Sequence, residues 1–255
     1  MEQKIQKINL LLSKGEPLFA SYLKEMGYSS QLLSRYVKSK WLEMPYKGVY
    51  IKPKSAISIG GLLNALVYQK RISVHIAGLD ALKLFGYFEQ IAFVNKTITI
   101  YSDKRIYIPK WVKKFEKENN IKIKLVCTNL FSDGMFISKS EYDRFILPVS
   151  IPERAVFEAL NEVKSSAEYY EFLKVFEIIA DLKSDYLDAL LLKCNSVKVK
   201  RLFLYVSELT GKPYFKKLNL NKYDLGNGVR TLFLDEKQMK YNAKFKIMVP
   251  KERQS

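Results

Sequence analysis

The stretch LFASYLKEMGYSSQLLSRYVKSKWLEMPYKGVYI, from Leu18 to Ile51, predicts a helix-turn-helix followed by a small β-wing. The first helix is indicated by apolar residues at helical spacing: Leu18, Phe19, Tyr22, Leu23 and Met26. Gly27 follows where a helix can end in a left-handed residue. Ser29 can then cap a second helix, whose apolar face holds Leu32, Leu33, Tyr36 and Val37.

The opposite face of the second helix carries side chains that can hydrogen-bond to bases or phosphates: Ser30, Gln31, Ser34, Arg35 and Lys38. Such a face fits the major groove of DNA. We expect Gln31, Ser34 and Arg35 to read bases. We expect four other residues to hold phosphates: Ser30, Lys38, Lys40 and Lys47. The alternative is a three-helix packing unit with a solvated polar face, but the excess of basic residues favours DNA binding.

A third helix must complete the core, because two short helices bury too little apolar surface alone. The segment Gln3 to Ser13 supplies it, with an apolar stripe formed by Ile5, Ile8, Leu11 and Leu12. Beyond the second helix, the apolar residues before Pro45 and after Gly48 predict a hairpin with a loop longer than two residues. Lys47 would lie at the tip of this wing.

Composition indicates a basic globular protein. The 255 residues are 48% hydrophobic and carry a formal charge of +17, which predicts an anionic partner such as nucleic acid. The first 55 residues hold 10 basic and 4 acidic side chains, the densest excess in the chain. Membrane binding would compete as an explanation, but no apolar run approaches the ~18 residues that span a bilayer, and no signal-peptide core is present. We therefore expect a cytoplasmic protein that does not associate with membranes.

The predicted fold class is α+β in two parts. A winged helix-turn-helix domain covers residues 1–55, and Lys52 to Ser58 forms the linker. Residues 56–255 form a larger, helix-rich C-terminal domain, with mixed α and β structure at 56–150. In that mixed part we expect strands over 91–94, 97–101 and 121–127, and a helix that ends at Gly86. Within 151–255 we expect helices over Pro152–Val163, Ala167–Ala180, Asp185–Cys194 and Val197–Thr210, and terminal strands over Arg230–Leu234 and Lys244–Val249.

The residue pattern favours no enzyme. His75 is the only histidine, and neither a nucleophile elbow nor a glycine-rich phosphate loop is present. Cys127 and Cys194 form no CxxC pair, so a zinc ribbon is not expected. Helix-borne carboxylates could be imagined as a nuclease metal site, but such residues usually pair with lysines in solvent. We expect no catalytic residue, no metal site and no cofactor.

The chain resembles the AbiEi antitoxins of type IV toxin-antitoxin and abortive-infection systems over almost its whole length. The similarity lies in WLEMPYKGVYIKP (41–53), VHIAGLDALKLFGY (74–87), SVKVKRLFLYVSELTGKPYFKKLNL (196–220) and DLGNGVRTLFL (224–234). The resemblance implies a repressor that binds inverted repeats upstream of its own operon. It also implies a C-terminal domain that counteracts an AbiEii-family nucleotidyltransferase toxin in phage defence, without a stable complex between the two. The alternative is an interaction protein that neutralises a toxin by direct binding, without DNA regulation.

A second basic surface is predicted in the C-terminal part. Within Val197 to Thr210, Lys198 and Arg201 fall together opposite the apolar face. Further lysines follow beside aromatic residues: Lys212, Lys216 and Lys217. Basic residues next to aromatics suit RNA or single-strand binding, and this surface could carry the antitoxin activity. The alternative is a solvated lysine face over a buried aromatic core.

Overall fold

The computed structural model describes residues 2–12, 15–88, 96–132, 134–231 and 239–251. Backbone proximity groups the chain into two compact units. Unit 1 comprises Met1–Val74, Ile106–Lys122 and Lys139–Pro148, and unit 2 comprises His75–Arg105, Ile123–Ser138 and Val149–Ser255. The domain boundary predicted near Ser55 falls inside unit 1, and it stays a prediction.

Unit 1 begins with three helices and a three-stranded sheet. The elements in chain order are α1 (Glu2–Leu11), β1 (Leu18–Phe19), α2 (Ala20–Glu25), α3 (Ser30–Lys38), β2 (Glu43–Tyr46) and β3 (Val49–Ile51). The antiparallel sheet has the order β1-β3-β2. The shared core consists of Ile8, Leu12, Leu18, Leu23, Tyr28, Leu32, Leu33, Tyr36, Leu42 and Tyr50. This arrangement is a winged helix-turn-helix, as the sequence predicts.

Two local predictions in this region are wrong. Leu18 and Phe19 do not belong to the first helix of the pair, because they extend as β1 and pair with Tyr50 and Val49 of β3. The hairpin loop is also shorter than expected. Tyr46 pairs directly with Val49, which leaves a two-residue turn. Pro45 fits inside β2 because an edge strand can lack one backbone donor.

The winged helix is extended by later segments of the chain. In unit 1, α4 (Ile59–Asn64) continues into a π-helical turn (Ala65–Gln69), and α6 (Trp111–Asn119) returns much later in the sequence. The buried Gln69 fastens the π-helical turn: its Oε1 accepts from the Phe19 amide at 2.9 Å, and its Nε2 donates to the Pro17 carbonyl at 2.9 Å. Residues beyond the wing are therefore structural parts of this unit.

A five-stranded sheet follows the winged helix in sequence, with the order β6-β5-β4-β8-β7. Its strands are β4 (His75–Ile76), β5 (Lys96–Ser102), β6 (Ile121–Cys127), β7 (Ile137–Tyr142) and β8 (Phe145–Ser150). Strand β4 runs antiparallel to β5 and parallel to β8. Strand β6 agrees with its predicted range, whereas β7 and β8 are not among the predicted strands. The strand predicted at 91–94 lies outside the described residues.

Five further helices belong to unit 2: α5 (Gly78–Leu84), α7 (Pro152–Glu162), α8 (Ser166–Ile178), α9 (Ser184–Lys193) and α10 (Val197–Leu209). Short 3-10 turns follow at Pro213–Lys217 and Leu220–Lys222. A last sheet has the order β10-β11-β9, with β9 (Arg230–Thr231), β10 (Met239–Asn242) and β11 (Ile247–Pro250). Helix α7 is buried from Glu153 through Leu160 and packs against α5 and α10, so it forms the centre of this unit. The fold is α+β, as predicted.

Candidate nucleic-acid interface

Helix α3 presents the predicted polar face to solvent. The Ser29 side chain accepts a hydrogen bond from the Leu32 amide at 3.2 Å and so caps the helix N-terminus. Leu32, Leu33 and Tyr36 are buried on the inner side. The remaining face is exposed and holds Ser30, Gln31, Ser34, Arg35 and Lys38. The cap and the core together fix which side of α3 is available to a partner.

The outer side chains of α3 are available for intermolecular bonds. The side chains of Gln31, Ser34 and Arg35 make no hydrogen bond or ion pair among the described residues. Lys40 is exposed just beyond the helix, with a left-handed φ of 57°, and the adjoining chain is anchored by the buried Leu42. An amide, a hydroxyl and a guanidinium are the groups that pair with base edges in a major groove.

The wing places a lysine at its tip. Lys47 and Gly48 form the turn between β2 and β3, and Gly48 has a φ of 75°, where a residue without Cβ is favoured. The Lys47 side chain is exposed, as predicted from the sequence. The Gly48 carbonyl accepts from the Ala20 amide at 2.8 Å, which ties the turn to the start of α2. The wing tip is therefore held against the helix pair.

The wing is also supported by α6, a contact that the sequence did not predict. The ring of Tyr46 stacks on Trp111, with 4.8 Å between centroids, and its hydroxyl donates to the Glu118 carboxylate at 2.5 Å. Burial, and then the Glu118 carboxylate, raise the pKa of Tyr46 to about 12, so the hydroxyl remains a donor. Aromatic residues in β2 and at the start of α6 were the available signal, but their separation by 65 positions in the sequence concealed it.

The predicted basic surface on α10 requires correction. Arg201 is not on an exposed face, because its side chain is only 1% exposed. Its guanidinium donates to four backbone carbonyls, those of Leu225 at 2.6 Å, Gly226 at 2.8 Å, Gly228 at 2.6 Å and Lys246 at 2.7 Å. Burial lowers the pKa of Arg201, and the neighbouring Arg230 lowers it further. This arginine organises a loop instead of meeting a phosphate.

Lys212 is likewise internal. Its Nζ donates to the carbonyls of Ile179 at 2.6 Å and Glu177 at 3.0 Å, and it lies 5.0 Å from the centre of the Phe176 ring. Burial lowers the pKa of Lys212. Tyr214 is buried too, and its ring stacks on Phe203, so it offers no face to a base. Of the five predicted residues, Lys216 and Lys217 are exposed and Lys198 is half-buried.

A buried charge cluster lies at the centre of unit 2. The fully buried Glu158 contacts His75 Nε2 at 2.8 Å and accepts from Arg154 Nε at 2.7 Å and Ser150 Oγ at 2.6 Å. Burial acts to raise the pKa of Glu158, but His75 and Arg154 outweigh it and hold that pKa below its usual value. The cluster joins α7 to β4 and β8. No group of three or more metal-ligating side chains occurs in the described part of the chain.

Comparison with family models decides the identity. Residues 1–93 match the model described as a transcriptional regulator, AbiEi antitoxin N-terminal domain. Residues 95–250 match the model described as a transcriptional regulator, AbiEi antitoxin, of a type IV toxin-antitoxin system. The chain belongs to the AbiEi antitoxin family. The resemblance seen in the sequence is confirmed, and this AbiEi protein is a member of a family of transcriptional regulators.

A solved structure shares the fold of this AbiEi protein. The crystal structure of the RV2827C protein from Mycobacterium tuberculosis superposes with a TM-score of 0.60 at 17% sequence identity. The match covers 91% of this chain and 86% of that one, so the similarity extends through both family regions. A search of curated proteins gives no match. Within the described ranges, no helix is long and apolar enough to cross a bilayer.

Proposed function

We propose that this AbiEi protein binds operator DNA through α3 and the wing and thereby represses its own operon. The observation that carries this proposal is the exposed polar face of α3, capped by Ser29 and followed by a lysine-tipped wing. A major groove accommodates one helix, and the helix-turn-helix fold presents its second helix there. The formal charge of +17 adds an attraction to DNA that does not depend on sequence.

The exposed residues divide into two roles in this proposal. Gln31, Ser34 and Arg35 lie in the first two turns of α3, where a recognition helix touches base edges. The other four hold phosphates and set the register of the protein on the duplex: Ser30, Lys38, Lys40 and Lys47. The operator is an inverted repeat upstream of the operon, as the resemblance implies.

The regulatory role is tested with the DNA upstream of the operon. Binding of the full chain to this fragment and to a scrambled fragment is measured by fluorescence anisotropy at several salt concentrations. We expect preference for the upstream fragment and affinity that falls steeply with salt. A Gln31→Ala, Arg35→Ala variant should lose the preference, whereas Lys7→Ala, an exposed change on α1, should keep it. Absence of binding, with stable co-purification of the neighbouring gene product, would favour direct toxin binding instead.

The C-terminal part, residues 56–255, is proposed to counteract a cognate AbiEii-family nucleotidyltransferase toxin without a stable complex. The exposed Lys216 and Lys217, with the half-buried Lys198, are the predicted residues that remain accessible for an anionic partner. Burial, and then repulsion from Lys164, lower the pKa of Lys198. The exposed Lys216 and Lys217 suit phosphate contacts, so we propose a nucleic-acid component of the toxin's reaction as the ligand.

Toxin rescue in cells tests this second proposal. Reversing charge at Lys216 and Lys217 to glutamate should abolish rescue from the co-expressed toxin while leaving operator binding intact. The matched control reverses two exposed lysines on other helices, Lys174 and Lys193, at equal net charge. Full rescue by the Lys216 and Lys217 variant would exclude this surface.

A further inference from the structure

Helix α6 lies along one side of the wing and contacts it through Tyr46. Tyr46 immediately precedes the wing tip, stacks on Trp111 at the start of α6, and donates to Glu118 near its end. The Lys114 ammonium lies between these two points, 5.8 Å from the centre of the Tyr46 ring. Three residues one or two turns apart on α6 therefore face the wing, which fixes the rotation of the helix about its axis.

The rotation of α6 turns three lysines outward. Val112 and Phe115 are buried on the inner side of the helix. Lys113 and Lys117 are four positions apart and so are neighbours on the helix surface, and Lys110 precedes them on the same side. All three side chains are exposed, and they form no ion pair among the described residues. We call this set the α6 lysine face.

The Glu118 carboxylate does not cancel the charge of the α6 lysine face, because it faces the wing. The Glu118 carboxylate is already occupied by Tyr46 and by Lys114, whose Nζ lies 3.6 Å away. The α6 lysine face extends roughly 9 Å along the helix beyond Trp111, since each residue adds about 1.5 Å. Tyr46, which stacks on Trp111, immediately precedes Lys47, so α6 packs on the strand that leads to the wing tip.

We propose that the α6 lysine face is a second backbone-binding element, which contacts the phosphates that flank the segment held by the wing. Duplex DNA carries a phosphate charge about every 1.7 Å of its axis, so a duplex beside the wing tip also presents charges to a helix packed on the wing. These contacts would lengthen the bound segment without reading its sequence. The inference rests on the proposed operator binding.

Charge removal on the full chain tests the α6 lysine face. In a Lys113→Gln, Lys117→Gln variant we expect operator affinity to fall about tenfold or more at physiological salt, and the slope of log affinity against log salt to fall by about two units. The preference for operator over scrambled DNA should stay unchanged. Hydroxyl-radical footprinting should lose protection at the outer ends of the site. The control is Lys174→Gln, Lys193→Gln, which removes equal charge from α8 and α9.

The outcomes separate this inference from operator binding itself. If the wild-type protein binds its operator and the α6 variant retains the wild-type salt slope and footprint, the α6 lysine face is excluded and the proposed function stands. If the control variant falls as far as the α6 variant, the effect is one of net charge and the inference is again overturned. If the wild-type protein does not bind its operator, the proposed function is wrong, and the α6 inference falls with it.

Discussion

Helices α3 and α10 both carry arginine and lysine beside an apolar stripe, yet they use these residues in opposite ways. On α3, Arg35 is exposed, and its side chain makes no hydrogen bond or ion pair among the described residues. On α10, Arg201 is buried and its guanidinium donates to four carbonyls. A positive pattern on a helix therefore does not by itself mark a binding surface.

The difference arises from how much of each helix is apolar. Helix α3 buries three residues on one side, which leaves a wide polar face. Helix α10 is buried at every position from Val199 to Ser207, because α7, β11 and the following 3-10 turn pack around it. The run LFLYV, residues 202–206, is apolar at five consecutive positions and so covers more than one side of a helix. A basic residue beside such a run is positioned to bond with backbone carbonyls.

The strongest test of this contrast is Arg201→Ala. We expect the free energy of unfolding to fall by about 3–5 kcal/mol, since several buried carbonyls lose a charged donor together. Urea unfolding followed by circular dichroism measures the change. Arg201→Lys should be intermediate, because an ammonium keeps the charge but cannot reach four acceptors in the geometry of a guanidinium.

The control for Arg201 is its exposed counterpart. Arg35→Ala should change the free energy of unfolding by less than about 0.5 kcal/mol, as expected for a surface position without partners. Wild-type stability in Arg201→Ala would show that the loop carbonyls find other donors, and Arg201 would then lose its structural role.

Arg35→Ala should instead weaken operator binding. If Arg35 pairs with a guanine, we expect a loss of about 1–3 kcal/mol on the operator, and relaxed specificity at one base pair. Affinities for the operator, for single-base variants of it and for random DNA measure this. Equal losses on specific and random DNA would assign Arg35 to the phosphates instead.

Removing the helix cap tests how α3 is positioned. Ser29→Ala takes away the acceptor for the Leu32 amide, and we expect the free energy of unfolding to fall by about 1 kcal/mol. Ser29→Asp keeps an acceptor at this position and serves as the control. If both variants unfold like the wild type, the cap contributes nothing and the buried residues alone fix α3.

Local patterns along the chain predicted much of the fold, whereas contacts distant in sequence were not predictable. The cap at Ser29, the end of α5 near Gly86 and the full range of β6 each depend on neighbouring residues, and the structure agrees with them. Strand β1 could not be predicted, since Leu18 and Phe19 fit a helical spacing equally well and extend only because β3 is available to pair. The contact between Tyr46 of the wing and Trp111 of α6 was likewise not predictable, because the two residues are distant in sequence.

The smallest expected effect belongs to Lys47→Ala. Lys47 lies at a turn tip and is exposed, so its loss should leave the fold intact. If it holds one phosphate, the slope of log affinity against log salt should fall by about one unit, with equal losses on operator and random DNA. Anisotropy titrations at four or more salt concentrations would measure both slopes. A loss confined to the operator would mean that the wing reads sequence, and the division between base contacts on α3 and phosphate contacts on the wing would have to be abandoned.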